Sequence, residues 1–188
     1  MNVIAKSVAV GLLAMAAGSA WASDGTIEFT GEITTSTCEF ANGDTVNVEL
    51  GHYANTQFKT VGDKSPTTPF TIPLKDCPTE AWKHVDGTTS KAFQLWLEPR
   101  SGTTGANNDL VAVSGSGTPA TGVGIRIDRA SDGAQLALNK LNDTPVTFDI
   151  TGEQTDVNLQ AYYVSTVEST AITAGEANAS VDVTIDYR

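Results

Sequence analysis

Short amphipathic strands joined by polar turns predict an all-β sandwich for this chain of 188 residues. Two observations carry that expectation. Several stretches alternate apolar and polar residues with the period of two that extended chain imposes, and no window repeats apolar residues at i, i+3, i+4 and i+7 over three turns. The stretches between them, such as 101–108 and 114–122, are rich in Gly, Thr, Asn and Ser, as the surface connections of a sandwich are.

Taken in order, residues 1–22 read as an export signal and not as part of the fold. Lys6 precedes the apolar run from Val8 to Ala17, and Ala20-Trp21-Ala22 offers the small-x-small pattern that a signal peptidase cuts. Cleavage there makes Ser23 the first mature residue and leaves 166 residues, enough for one domain with a real core. It removes one lysine and no acid, taking the formal charge from −11 to −12. So acidic a chain, with no basic block, argues against nucleic acid and against anionic membrane surfaces as partners.

The first alternating stretch is Asp24 to Ile33: Ile27, Phe29, Gly31 and Ile33 share one face, Thr26, Glu28, Thr30 and Glu32 the other. No hairpin turn joins it to a following strand. Thr45 to Leu50 alternates next, and after the loop 62–69 the stretch from Phe70 to Leu74 does so again. Pro73 falls on the opposite phase, which fits an edge or a non-bonding position. Ala92 to Leu97 is the most apolar mature segment and reads as a central strand buried on both faces. Further strands are expected at Leu110–Val113, Val123–Ile127, Leu136–Leu138, Pro145–Ile150 and Val157–Val164, with a turn at Asp132-Gly133. The last stretch, Val181 to Tyr187, alternates as strictly as the first, with Val181, Val183, Ile185 and Tyr187 on one face. Unshielded strands at both ends would leave two sticky edges, so they pair with each other or with another molecule.

Cys38 and Cys77, the only cysteines, are expected to form one disulfide in an exported chain. A redox pair would want Cys-x-x-Cys spacing or a nearby base, and neither is present. His52 and His84 lie in polar stretches without a Gly-x-Ser-x-Gly elbow, and the acids are scattered over strands and turns, so neither an enzyme site nor a metal site nor a cofactor is expected. Trp96 belongs to the apolar strand and reads as core, and Trp82 reads as a half-buried loop anchor.

The chain resembles a subunit of a Gram-negative chaperone–usher fimbria of the type 1 pilin kind. The matching pieces run in family order: Gly31-Glu32-Ile33 leading to Cys38, Pro69 to Cys77, Leu159 to Tyr163, Ala174 to Ala179, and a tyrosine second from the end. The resemblance implies an incomplete immunoglobulin-like sandwich that lacks its last strand and is completed by a donor strand from another subunit. Residues 23–33 would be the donor extension, with Ile27, Phe29 and Ile33 as plugs and Gly31 at the crowded point, and 34–188 the pilin domain. Val181, Val183, Ile185 and Tyr187 would lie on the strand bordering the groove, which a periplasmic chaperone fills first. At an outer-membrane usher the next identical or related subunit replaces it, yielding a fibre on the cell surface that supports adhesion. Arg188 departs from the family's ending, where a small or polar residue follows the tyrosine. A minor or adaptor pilin, and a self-contained secreted sandwich binding carbohydrate or protein, stay open as alternatives. With a donor extension, a groove-edge strand and no added domain, the resemblance is to the major, rod-forming kind of subunit, and a host receptor is left open as a further partner.

Overall fold

The computed structural model describes residues 37–138 and 144–187. Its strands are β1 (Glu39–Phe40), β2 (Thr68–Lys75), β3 (Trp82–Lys83), β4 (Thr89–Ser90), β5 (Ala92–Pro99), β6 (Thr103–Thr104), β7 (Leu110–Ala112), β8 (Val123–Arg129), β9 (Val146–Asp149), β10 (Thr155–Ser165) and β11 (Val181–Asp186). They form one six-stranded sheet in the order β1-β2-β10-β8-β7-β6, one three-stranded sheet in the order β11-β5-β9, and the small hairpin β3-β4. Every strand pair in these sheets is antiparallel.

Alternation decides which face of each strand is buried. Ile72 and Leu74 of β2, Val157, Leu159 and Ala161 of β10, and Ile125 of β8 meet Phe93, Leu95 and Leu97 of β5 and Val146 of β9 in one core. β5 lies between β11 and β9, and Ala92, Phe93, Leu95, Trp96 and Leu97 are all buried, so its continuous apolar run is that of a strand covered on both faces. The segment after the Asp132-Gly133 turn continues the edge of β5 beyond β9, where Ala137 bridges Trp96, while Leu136 and Leu138 enter the core. Residues 136–138 were expected as a strand. They are buried but held by isolated bridges, because β9 already occupies that edge of β5 as far as the Leu95↔Val146 pair.

Pro73 does not sit on an edge, since β2 runs between β1 and β10. Its carbonyl accepts the Ala41 amide at 2.8 Å, so its ring nitrogen points to the same side, just past the end of β1. The missing donor therefore costs the β10 ladder nothing, which is the non-bonding option the sequence allowed. A disulfide joins Cys38 to Cys77, both buried, and ties the chain ahead of β1 to the end of β2.

The outward face of the large sheet carries a polar group of three, in which Tyr162 and Asp128 are buried and Arg126 is half-buried. Tyr162 donates to Asp128 at 2.7 Å, and Arg126 reaches the other oxygen of that carboxylate at 2.8 Å. Burial, reinforced by the hydrogen bond to Asp128, pushes the Tyr162 hydroxyl up to about 12. The folded state thus holds this proton more tightly than the unfolded chain, which releases it near 10. The stability it contributes is complete below pH 10 and is lost as the pH climbs toward 12. Tyr162→Phe should lower stability near neutrality by about 1–3 kcal/mol, because Asp128 loses a donor. It should also flatten the fall between pH 10 and 12, as urea unfolding at a series of pH values would read.

Candidate functional site

The groove forms where the two sheets fail to close over the core. One flank is β11, which pairs only with β5 among the described residues, in the register Val181↔Pro99 to Asp186↔Gln94. Its other edge is turned to the opening. The second flank is the segment 44–52. The sequence predicts a strand at Thr45–Leu50, and the structure keeps the alternation, with Val46, Val48 and Leu50 half-buried and Thr45, Asn47 and Glu49 exposed. It forms no ladder, because no described strand lies alongside it. Among the described residues the extended shape thus rests on side-chain burial, without backbone pairing.

Between these flanks lies an open groove of about 990 Å³. Its floor is the inner face of the sandwich, including Phe70, Ile72, Leu97, Ile127 and Leu159, and its rim carries Asp44, Glu49, His52, Arg100 and Asp182. An extended apolar channel with two strand-like walls is suited to take a strand and offers no chemistry for a reaction. Among the described residues no cluster of His, Cys, Asp and Glu is arranged to hold a metal ion.

Both ends of β11 are fixed by contacts that single residues make. At its end, the Cys38 amide donates to the Tyr187 hydroxyl at 2.6 Å, and Trp82 Nε1 donates to the Tyr187 carbonyl at 2.8 Å. The Tyr187 ring packs on Trp82 and Phe93 with centroids 5.6 and 6.2 Å away. Burial raises the pKa of the Tyr187 hydroxyl, opposed by the Cys38 amide it accepts from. At its start, the Tyr163 hydroxyl donates to the Ala177 carbonyl at 2.8 Å, and Tyr53 meets the Tyr163 ring edge-on at 6.1 Å. Residues 114–121 cross beneath 173–178 through bridges at Ser114↔Asn178, Pro119↔Glu176 and Thr121↔Thr173. Gly175 marks that crossing: a Cβ there would collide with the Thr118 carbonyl oxygen and the Pro119-Ala120 backbone. Glu176 accepts the Ser116 amide at 2.5 Å, and this donor, with the Gly117 amide, holds its carboxyl below the usual range.

Of the residues singled out in the sequence, Val181 and Val183 line the groove, while Ile185 farther along β11 and Tyr187 just past its end pack against the core. Cys38 and Cys77 are brought together. Ile27, Phe29, Gly31 and Ile33 lie outside the described residues. Sequence reasoning missed two parts of the site. The segment 44–52 showed its alternation but not that it would stay unpaired, and Trp82 showed as an anchor without any sign that it holds the end of β11.

The family model described as "Fimbrial protein" matches residues 27–188, and the chain belongs to that family. It is 47% identical over 194 residues to the uncharacterized fimbrial-like protein YraH of Escherichia coli K12, covering all of both chains. It is 37% identical over 198 residues to a type-1 fimbrial protein subunit of Serratia marcescens, again covering all of both. A solved chaperone–usher pilus subunit superposes with a TM-score of 0.58 at 17% identity, over 86% of this chain and 95% of that one, which shows the shared immunoglobulin-like fold. The chain is a structural fimbrial subunit and not an enzyme. Subunits of this kind associate with other pilins in a surface appendage, which implies export.

Two substitutions test the fixing of β11. Tyr187→Phe should cost about 1–3 kcal/mol, since a half-buried amide loses its acceptor, and should speed hydrogen exchange at the Cys38 amide. Gly175→Ala should cost about 1–3 kcal/mol through forced separation of two backbones, read as a lower urea midpoint at an unchanged slope.

Proposed function

We propose that this subunit polymerises by strand donation, the extension 23–33 of one copy entering the groove of the next. The observation that carries this reading is the groove itself. β11 and the segment 44–52 present facing backbone edges with no ladder partner among the described residues, over an apolar floor. Buried backbone groups need partners, and an added strand supplies them while its alternate side chains fill the channel. The stretch 24–33 alternates as strictly as β11, and no hairpin turn follows it in the sequence. Ile27, Phe29 and Ile33 have the size to fill the floor, and Gly31 lets the backbones approach closely.

Val181, Val183, Ile185 and Tyr187 belong to the strand that would receive the donor, with the 44–52 segment on its other side. Before assembly the same groove would be covered in the periplasm by a chaperone's strand, exchanged at an outer-membrane usher as subunits are added. This order of events rests on the family and on the likeness to a chaperone–usher pilus. The finished fibre would stand on the cell surface and support adhesion.

The test compares the mature chain with one lacking residues 23–33, the latter with and without a synthetic peptide of that segment. The intact chain should give ladders on unheated gels that collapse on heating, and fibres by electron microscopy. The shortened chain should stay monomeric and melt at a higher temperature when the peptide is present. An intact chain that remains a stable monomer, indifferent to the peptide, would be a self-contained sandwich and would sink this reading.

A further inference from the structure

The rim of the groove and the outward face of the extension carry the same sign of charge, and this inference rests on the strand-donation reading. On the outward side of β11 lie Asp182 and Asp186. Glu49 lies on the outward phase of the other flank and Asp44 at its start, both exposed. Among the described lining residues the one arginine or lysine is Arg100, which is bound to Asp182 through Nε at 3.0 Å and Nη2 at 2.6 Å. The pair is exposed on both sides, so it lies at the rim and not in the floor. Asp182 also stands directly across from Glu98 of β5, which adds a further acid to the same outer surface.

In the extension the residues that face away from the apolar row are Thr26, Glu28, Thr30 and Glu32, preceded by Asp24, with no lysine or arginine among residues 23–33. Added strands place outward side chains about 4.5–5.5 Å from those of their neighbours, and like charges at that distance oppose pairing. Acids meet acids whichever way the extension runs, since Asp182 stands on one flank, Asp44 and Glu49 on the other, and Glu28 and Glu32 span the donor. The apolar row therefore favours insertion while the outward row opposes it.

We propose that the groove is electrostatically matched to a strand that is apolar on its inward face and basic on its outward face, and that the chain's own acidic extension is a mismatched occupant, held by its apolar side chains and backbone hydrogen bonds against the charge of the rim. Arg100 is the residue that reads this difference, by neutralising Asp182 where an acidic strand would pass. A lending partner of that basic kind would bind early and tightly, and exchange for the subunit's own strand would be favoured by screening of the rim.

The experiment uses the full mature chain carrying Ile27→Asp, so that its own extension does not fill the groove of a neighbour. Three labelled peptides of residues 23–33 are titrated in by fluorescence anisotropy at about 10 and about 150 mM NaCl, which spans strong to weak reach of exposed charges. They are the natural sequence, a Glu28→Lys/Glu32→Lys form, and an Ile27→Asp/Phe29→Asp control. The lysine form should bind about three- to tenfold more tightly than the natural one at low salt, the size expected for two reversed rim pairs. Salt should weaken the lysine form and strengthen the natural one. Arg100→Gln in the chain should weaken the natural peptide and strengthen the lysine form. If the natural and lysine peptides bind equally at both salts, while the control fails to bind, the charge inference is overturned and strand donation stands. If the natural peptide binds no better than the control, strand donation itself fails, and this inference with it.

Discussion

The structure depends on an unmet requirement for backbone hydrogen bonds. A sheet edge over an apolar floor is costly to leave in water, because its amides and carbonyls are half desolvated and its side chains cover only part of the core. Here two such edges face one another, β11 on one side and the 44–52 segment on the other. The surrounding features hold them apart. The disulfide fixes the chain ahead of β1, Tyr187 ties the end of β11 to that same point, and the crossing at Gly175 together with Tyr163 fixes its start. A groove anchored at both ends cannot simply collapse to bury its own floor.

The direction of the flanks adds a constraint. The start of the 38–53 stretch is bound to the end of β11 through Cys38 and Tyr187, and its far end meets the start of β11 through Tyr53, Tyr163 and Ala177. The two flanks therefore run antiparallel. Any strand placed between them is parallel to one and antiparallel to the other, whichever way it points, so neither direction has both ladders of the more stable antiparallel kind. In the proposed function this near-equality suits a groove that accepts two successive occupants. Choice between them then falls to side chains: the apolar row sets register, since a slip of one residue turns it away from the floor, and the outward row sets charge.

Stability and assembly make opposite demands on this chain. Leu74, Leu95, Val157 and Leu159 are almost wholly buried and give the sandwich a core of its own. Val46, Val48, Leu50, Val181 and Val183 are only half-buried, which leaves apolar surface uncovered along the groove. The polar group of Tyr162, Asp128 and Arg126 lies on the opposite side of the large sheet, so it firms the sheet without touching the groove. Strength is thus placed away from the groove.

Much of the fold was legible in the residues because burial on one face of a strand writes a period of two. β2, β5, β7, β8, β9, β10 and β11 all appear where alternation or a continuous apolar run predicts them. The family motifs were legible too, and Gly175 within one of them acquires a physical reason only at the crossing with 118–120. What the residues could not show is whether an extended segment has a neighbour. Thr45–Leu50 and Leu136–Leu138 alternate or are apolar like true strands, yet neither has a full ladder among the described residues, since pairing depends on which edge another strand has already taken. For the same reason Trp82 gave no sign of holding Tyr187, from which it is separated by 105 positions. The sequence by itself determined those seven strands, their inward faces and the family. Only the tertiary structure decided that two of those extended stretches stand apart with a groove between them, because hydrogen-bond pairing between distant segments is a property of their arrangement in space and not of either segment alone.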